Sequence, residues 1–215
     1  MFVPTTTTTL LFDAALPVAG LRVLDLGCGI GPLAIAAALC GAQTVTAVDV
    51  MSEACALTVR NARLNRVENR VRVVSGHALR NIGAARFDLI ISDISGIAEA
   101  TARLSPWYPP TIPSGGPGGA DLAIEVIDTA KEHLHPGGRL VFPILSLSQA
   151  PLIEARARRV FGDSLVCLGE KDIPFHRSLY PHVETLAAQK KAGLIDYSTR
   201  GSRLCWKLEL FQATV

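Results

Sequence analysis

Apolar residues fall along the chain in short blocks whose period changes, and each change marks an element. Residues 21–26 are largely apolar and close at Gly27, while 32–40 (PLAIAAALC) is rich in alanine and leucine, so a strand is followed by a helix. Pro32 suits the first helical turn, where its missing N–H costs nothing. Residues 44–48 (TVTAV) predict a second strand, after which Ser52 is placed to cap a helix over 52–65, with Glu53 in its first turn. Residues 71–74 and 87–92 (FDLIIS) are further strands, 121–134 repeats apolar positions at helical spacing before the stop signal HPGG, and 139–145 reads as a buried strand. In the final third, 149–161 and 183–191 predict helices, and 164–169 and 203–212 predict two strands that close the sheet edge.

Strands alternating with helices at this spacing imply a parallel sheet covered on both faces, with right-handed crossovers and ligands at the carboxyl ends of the strands. Two segments, 105–120 and 172–181, carry proline, glycine and aromatics without a period and predict lids or substrate walls. The threonine run at 5–9 reads as a polar tail, and no longer repeat is present.

Composition narrows the class. The chain has 215 residues, 49% of them hydrophobic, enough for one domain with a substantial core. A net charge of +2 with scattered lysines and arginines gives no dedicated nucleic-acid grip. The five cysteines form no C-x-x-C pair, so reduced thiols in the cytoplasm are expected. No signal peptide or membrane-spanning stretch is read, and the expected location is cytosolic.

The strongest chemical signal is Asp25-Leu-Gly27-Cys28-Gly29-Ile-Gly31 between the first strand and helix. Glycines let a backbone approach a ligand closely, and a helix N-terminus offers free N–H groups. A dinucleotide turn would place its third glycine where Pro32 stands and does not need the acid at 25, so the pattern favours S-adenosylmethionine. Asp49, about twenty residues past the turn, stands where ribose recognition is expected. Both acids also suit capping of the helices that follow them.

VLDLGCGIGPLAIAAA, AVDV and EACALTVRNARLN resemble the first two motifs of the class I S-adenosylmethionine-dependent methyltransferases, over roughly residues 20–145. The resemblance implies a Rossmann-like α/β fold with a seven-stranded, mostly parallel sheet, an antiparallel edge strand and helices on both faces. It implies one methyltransferase domain over 1–215: a cap over the cofactor (1–20), a cofactor-binding core (21–145), and a sheet edge with substrate loops (146–215). By resemblance Asp49 holds the ribose, Val50 and Met51 lie beside the adenine, and Asp25, Gly27, Cys28 and Gly29 bind the cofactor. Gly76-His77-Ala78 replaces the usual G-D-A, and His77 would accept the adenine amino hydrogen through a neutral ring nitrogen, or stand as a solvated loop residue.

FDLIISDISG aligns with the segment that ends in N-P-P-Y or D-P-P-Y in amide and amine N-methyltransferases; here Ile94, Ser95 and Gly96 replace Pro-Pro-Tyr after Asp93. Methyl transfer is mostly positioning of a neutral nucleophile in line with the sulfonium. Asp93, lining the cofactor as well, would accept a hydrogen bond from that nucleophile and help remove its proton, with Ser95 adding a hydroxyl. Losing both prolines removes the wall that holds a planar amide or base.

PTTTTTLLFDAAL, NARLN, DLIISDIS and LHPGGRLVFPIL are similar to lysine methyltransferases of a large-subunit ribosomal protein, in which a threonine-rich stretch covers the cofactor; Thr8 would be that contact. SGGPGGADLAIEVIDTAKEHLHPGGRL resembles the release-factor glutamine methyltransferases of the small-domain group. The N-terminal recognition domain of either is not seen, so the expected acceptor is a nitrogen or oxygen of a small molecule or short peptide. The alternatives are a protein side chain of lysine or glutamine type, aminopropyl transfer on the same fold, or a non-catalytic cofactor-binding partner subunit. A homodimer is compatible with the sequence. Trp107, Tyr108, Phe175, His176, Tyr180 and His182 would wall an apolar substrate pocket or pack beneath their own loops. No metal is expected, because His176 and His182 lack an acidic or cysteine partner at ligand spacing.

Overall fold

The structure is a computed structural model, and residues 5–94, 96–106, 108 and 110–215 are described. In chain order the elements are α1 (Thr6–Ala15), β1 (Arg22–Leu26), α2 (Pro32–Leu39), β2 (Thr44–Asp49), α3 (Ser52–Leu64), β3 (Val71–Ser75), β4 (Phe87–Ser92), α4 (Glu99–Leu104), α5 (Asp121–Thr129), β5 (Leu134–Leu145), α6 (Ala150–Phe161), β6 (Leu165–Pro174), α7 (Val183–Lys191), β7 (Ser198–Arg200) and β8 (Arg203–Thr214).

The sheet runs β3-β2-β1-β4-β5-β8-β6, with β7 folded against β8. The first five strands are parallel, and the long β8 runs antiparallel between β5 and β6. Alternation along the buried strands divides the core. Val23, Leu89, Ile91 and Val141 face one helical layer, and Leu24, Ile90, Leu140 and Phe142 face the other. The first layer is built by α1, α2, α4 and α7 through Leu11, Ala34, Ala102 and Leu186; the second by α5 and α6 through Ile127, Ile153 and Phe161. The five parallel strands point their carboxyl ends the same way, and β1 and β4 are the central pair there.

Most expected elements are present within a residue or two, and five departures stand out. The threonine run is not a polar tail: Thr5 and Thr8 form a reciprocal capping box that starts α1, and Leu11 and Ala15 sink fully into the core. Burying Leu11 contributes about 2 kcal/mol, and the Arg139 guanidinium donates to the carbonyls of Ala15 and Pro17, fixing the helix's far end. Ser52 is the first residue of α3 and not its cap, which is Met51; the Ser52 hydroxyl turns to Glu53. The helix expected over 121–134 ends as α5 at Thr129, followed by a 3₁₀ turn over Ala130–His133. HPGG does not separate helix from strand but lies inside β5, where a register irregularity opposite Phe87 and Leu89 admits the extra residues. Of the two irregular segments, 172–181 is partly regular, since β6 runs to Pro174 and a 3₁₀ helix spans Arg177–His182.

Candidate functional site

The chain leaves β1 at Leu26 and turns into α2 over the carboxyl end of the sheet. Gly27 has φ +76, and a Cβ there would lie 2.8 Å from the Asp93 carbonyl oxygen, so the turn crosses the end of β4 at a distance only glycine permits. Gly29 differs: its φ is +55 but nothing lies within 4 Å of a Cβ position, so its bareness serves the space in front of it. The turn is bolted from behind. The N–H groups of Gly27 and Cys28 donate to the Val48 carbonyl, the Thr58 hydroxyl donates to the Gly29 carbonyl at 2.9 Å, and the Asn61 amide donates to the Ile30 carbonyl at 2.8 Å. Asp25, fully buried, accepts the Ala34 N–H at 3.0 Å through Oδ2, tying β1 to the first turn of α2; its Oδ1 has no hydrogen-bond partner.

Asp49 ends β2 beside this turn. Its Oδ2 accepts the Gly29 N–H at 2.8 Å and its Oδ1 accepts the Met51 N–H at 2.9 Å, which leaves one lone pair on each oxygen for a ligand. A cavity of about 550 Å³ opens there, lined by Gly27, Cys28 and Gly29, by Asp49, Val50 and Met51, by Gly76, His77 and Ala78, and by Thr5, Thr7 and Thr8 of the α1 start. It continues past Asp93 into a region walled by Ile94, Ile97, Tyr108, Ile112, Leu122, Pro143, Leu145, Leu147 and Trp206. Asp93 sits where the two regions meet. Its Oδ2 accepts the Thr8 hydroxyl at 2.8 Å, so the helix that covers the cavity also orients this carboxylate.

The charges here are one-sided. Burial, aided by the nearby charges of Asp93 and Asp49, pushes the Asp25 carboxyl up to about 8, against the Ala34 hydrogen bond. Burial also raises Asp93 above the ordinary carboxylate range, and the Thr8 hydroxyl partly restores it. Burial and the neighbouring Asp25 push the Cys28 thiol upward, so it is no nucleophile. No lysine or arginine is among the cavity's described lining residues. The lining acids Asp49, Glu53 and Asp93, with no cation among the described lining residues, fit a ligand that brings positive charge, and an extended cavity with an open Gly29 cradle and two free lone pairs on Asp49 fits a sulfonium nucleoside.

The structure therefore brings together ten of the residues expected from sequence to hold the cofactor: Thr8, Gly27, Cys28, Gly29, Asp49, Val50, Met51, His77, Ala78 and Asp93. Asp25 lies behind the turn and acts through it. Ser95 and Trp107 lie outside the described residues. Of the expected substrate aromatics, Tyr108 lines the cavity, its hydroxyl donating to the Pro113 carbonyl at 2.7 Å. His176 and Tyr180 are not among the described lining residues: the His176 ring pairs with the Ser178 hydroxyl at 2.8 Å, and the Tyr180 hydroxyl accepts the Leu204 N–H. Phe175 is buried edge-on against Tyr197, packing beneath its own loop. No group of metal-binding side chains occurs among the described residues.

Sequence reasoning missed Thr58 and Asn61, whose spacing of three on the inward face of α3 is the available signal, since polar residues on a buried helical stripe need partners. It also missed Trp206, which shares the strand face of Leu204 and Leu208. Ile112, Pro143 and Leu145 carry no sequence signal beyond being apolar.

The sequence model of the ribosomal protein L11 methyltransferase (PrmA) family matches residues 3–117, more than half of the 215-residue chain. A ribosomal protein L11 methyltransferase of Methylococcus capsulatus is 37% identical over 150 residues, covering 70% of this chain and 42% of that protein. A release factor glutamine methyltransferase of Salmonella typhimurium is 36% identical over 136 residues, covering 60% of this chain and 48% of that one. The chain thus spans less than half the length of these relatives. The crystal structure of a ribosomal protein L11 methylase from Lactobacillus delbrueckii subsp. bulgaricus superposes with a TM-score of 0.62 at 22% identity, covering 100% of this chain and 81% of that one, a likeness of fold. On the family match, the chain belongs to the ribosomal protein L11 methyltransferase family.

Proposed function

We propose that the chain binds S-adenosylmethionine across the glycine turn and transfers its methyl group to an amine nitrogen of a protein, with a ribosomal protein as the acceptor. The observation that carries this reading is the continuity of one cavity: the glycine turn and Asp49 at one end, a buried carboxylate at the middle, and an apolar chamber beyond. Family membership favours a protein acceptor over the small molecule or short peptide expected from sequence, and would place the activity in the cytoplasm, where ribosomal proteins are made and assembled.

The bound cofactor would supply a methyl group activated on a sulfonium. Asp49 would hold the ribose hydroxyls with its free lone pairs, and the bolted turn would present backbone at Gly29. Asp93 has Oδ2 engaged by Thr8, which leaves Oδ1 for the acceptor. As a carboxylate it would attract an ammonium and draw off its proton, so that a neutral amine lone pair faces the methyl group. The apolar walls at Ile97, Ile112, Leu122 and Leu145 suit the aliphatic arm of a lysine, and the absent Pro-Pro wall argues against a flat amide.

Incubation with radiolabelled cofactor and purified ribosomal protein L11 tests this. Label on amine positions is expected, with turnover reduced in Asp93→Asn while calorimetric affinity for S-adenosylhomocysteine stays near wild type. Equal turnover by both proteins, or label absent from L11 and from amine peptides alike, would remove the assignment.

A further inference from the structure

His77 lines the cavity, and its backbone is held on two sides. Its backbone N–H donates to the Asn81 Oδ1 at 3.1 Å, and the preceding Gly76 N–H donates to the Asp49 carbonyl at 2.9 Å, so the residue is held one strand over from the ribose-binding acid. Its Nδ1 is sealed from solvent, has no hydrogen-bond partner, and lies 3.6 Å from Glu125 Oε1 on α5. That same oxygen accepts the Arg80 Nε–H at 2.8 Å. Arg80 is well exposed, so the pair adds little stability, but it fixes where the carboxylate points.

A carboxylate facing one imidazole nitrogen favours the proton on that nitrogen and leaves the lone pair on the other. We propose that Glu125, held by Arg80, is a positioning residue that favours the proton on Nδ1 of His77, so that Nε2 is an acceptor which selects a 6-amino purine over a 6-oxo purine. This rests on the reading of the cavity as the cofactor site. It explains how a histidine serves where an acid would otherwise accept the amino hydrogen: the charge sits one residue further back, on Glu125. A 6-oxo purine would set its carbonyl oxygen against the Nε2 lone pair, and the acceptor would lose its partner.

Two measurements on the full chain test it. Nitrogen-15 NMR of the histidine rings at about pH 8, where an imidazole is neutral, should show His77 with a bare Nε2 in the wild type and a growing Nε2–H population in Glu125→Leu. Calorimetry with S-adenosylhomocysteine and S-inosylhomocysteine should show about tenfold preference for the amino compound in the wild type, reduced severalfold in Glu125→Leu and absent in His77→Ala. Far-UV circular dichroism and thermal unfolding matching the wild type in both variants certify that they fold. A wild-type Nε2–H ring, or a preference unchanged by Glu125→Leu, would overturn the inference while leaving the cofactor site standing. Absence of binding by either nucleoside to the wild type would instead overturn the cofactor reading itself, whatever the NMR shows.

Discussion

Asp25 offers the sharpest quantitative prediction. Folding takes its carboxyl from the ordinary 3.8 to about 8, chiefly because it is fully buried. Between those values the native protein holds a proton that the unfolded chain has released, so stability falls as pH rises; it is fully present below about pH 4 and lost as pH climbs through 8. A tenfold change in proton affinity corresponds to about 1.4 kcal/mol, so the limiting loss is on the order of 6 kcal/mol, with a slope of at most about 1.4 kcal/mol per pH unit. That is a large share of a typical domain's total stability, on the order of 5–15 kcal/mol.

Asp25→Asn keeps an oxygen to accept the Ala34 N–H and removes the titration. The height of its stability curve depends on what the new amide N–H groups find, but its slope does not. Urea unfolding of both proteins at constant ionic strength, from pH 5 to 8, should therefore give curves that diverge, the wild type losing about 4 kcal/mol relative to the variant across the range. Asp93 also titrates upward and adds a slope of the same sign to both proteins, so the difference reads Asp25 together with its coupling to Asp93. Parallel curves would show that Asp25 is charged, or solvated, in the native state.

Removing the carboxylate proposed to hold the ribose, in Asp49→Ala, should weaken calorimetric cofactor affinity ten- to a hundredfold, about 1.5–3 kcal/mol. Gly27→Ala should destabilise by about 2–4 kcal/mol, because the left-handed backbone and the 2.8 Å approach to the Asp93 carbonyl both oppose a methyl group. In Gly29→Ala only the backbone cost of about 1 kcal/mol applies, and the methyl group instead enters the cavity, so affinity should fall more than thermal stability. Thr8→Val removes the hydroxyl that lowers the Asp93 pKa; with the carboxylate as the active form proposed above, the acidic limb of the kcat/KM profile should move to higher pH, and Thr8→Ser should restore it.

The parts legible in the sequence are those set by local rules. The parallel strands are continuous apolar blocks, and the glycine turn and the two acids at fixed distances from it follow from backbone geometry and a rigid ligand. Boundaries failed where a tertiary contact decides. Ser52 loses the cap to Met51 because Asp49 reaches the Met51 N–H. β5 starts at Leu134 because that residue pairs with Phe87 across the sheet, which no pattern in HPGG announces. The three-residue β7 exists only as a partner of β8, so it has no local signature.

The apolar chamber was largely illegible for a different reason. Its walls come from five separated stretches, at Ile94 and Ile97, at Tyr108 and Ile112, at Leu122, at Pro143, Leu145 and Leu147, and at Trp206, and each contributes one to three apolar residues whose role depends only on where the others bring theirs. The same holds at the roof. A threonine run is polar by composition, yet Thr5 and Thr8 spend their side chains on the cap of α1, Leu11 and Ala15 supply its buried face, and the Thr8 hydroxyl reaches Asp93 across 85 residues of chain. One hydroxyl cannot complete a helix cap and orient a distant carboxylate unless the helix is already docked, so docking of α1 and readiness of Asp93 are coupled. Loosening α1 from the core with Leu11→Ala should therefore disturb the pH dependence of turnover in the same direction as Thr8→Val, although Leu11 is not a lining residue of the cavity. An acidic limb that stays in place in Leu11→Ala while α1 loses amide-exchange protection would break that coupling.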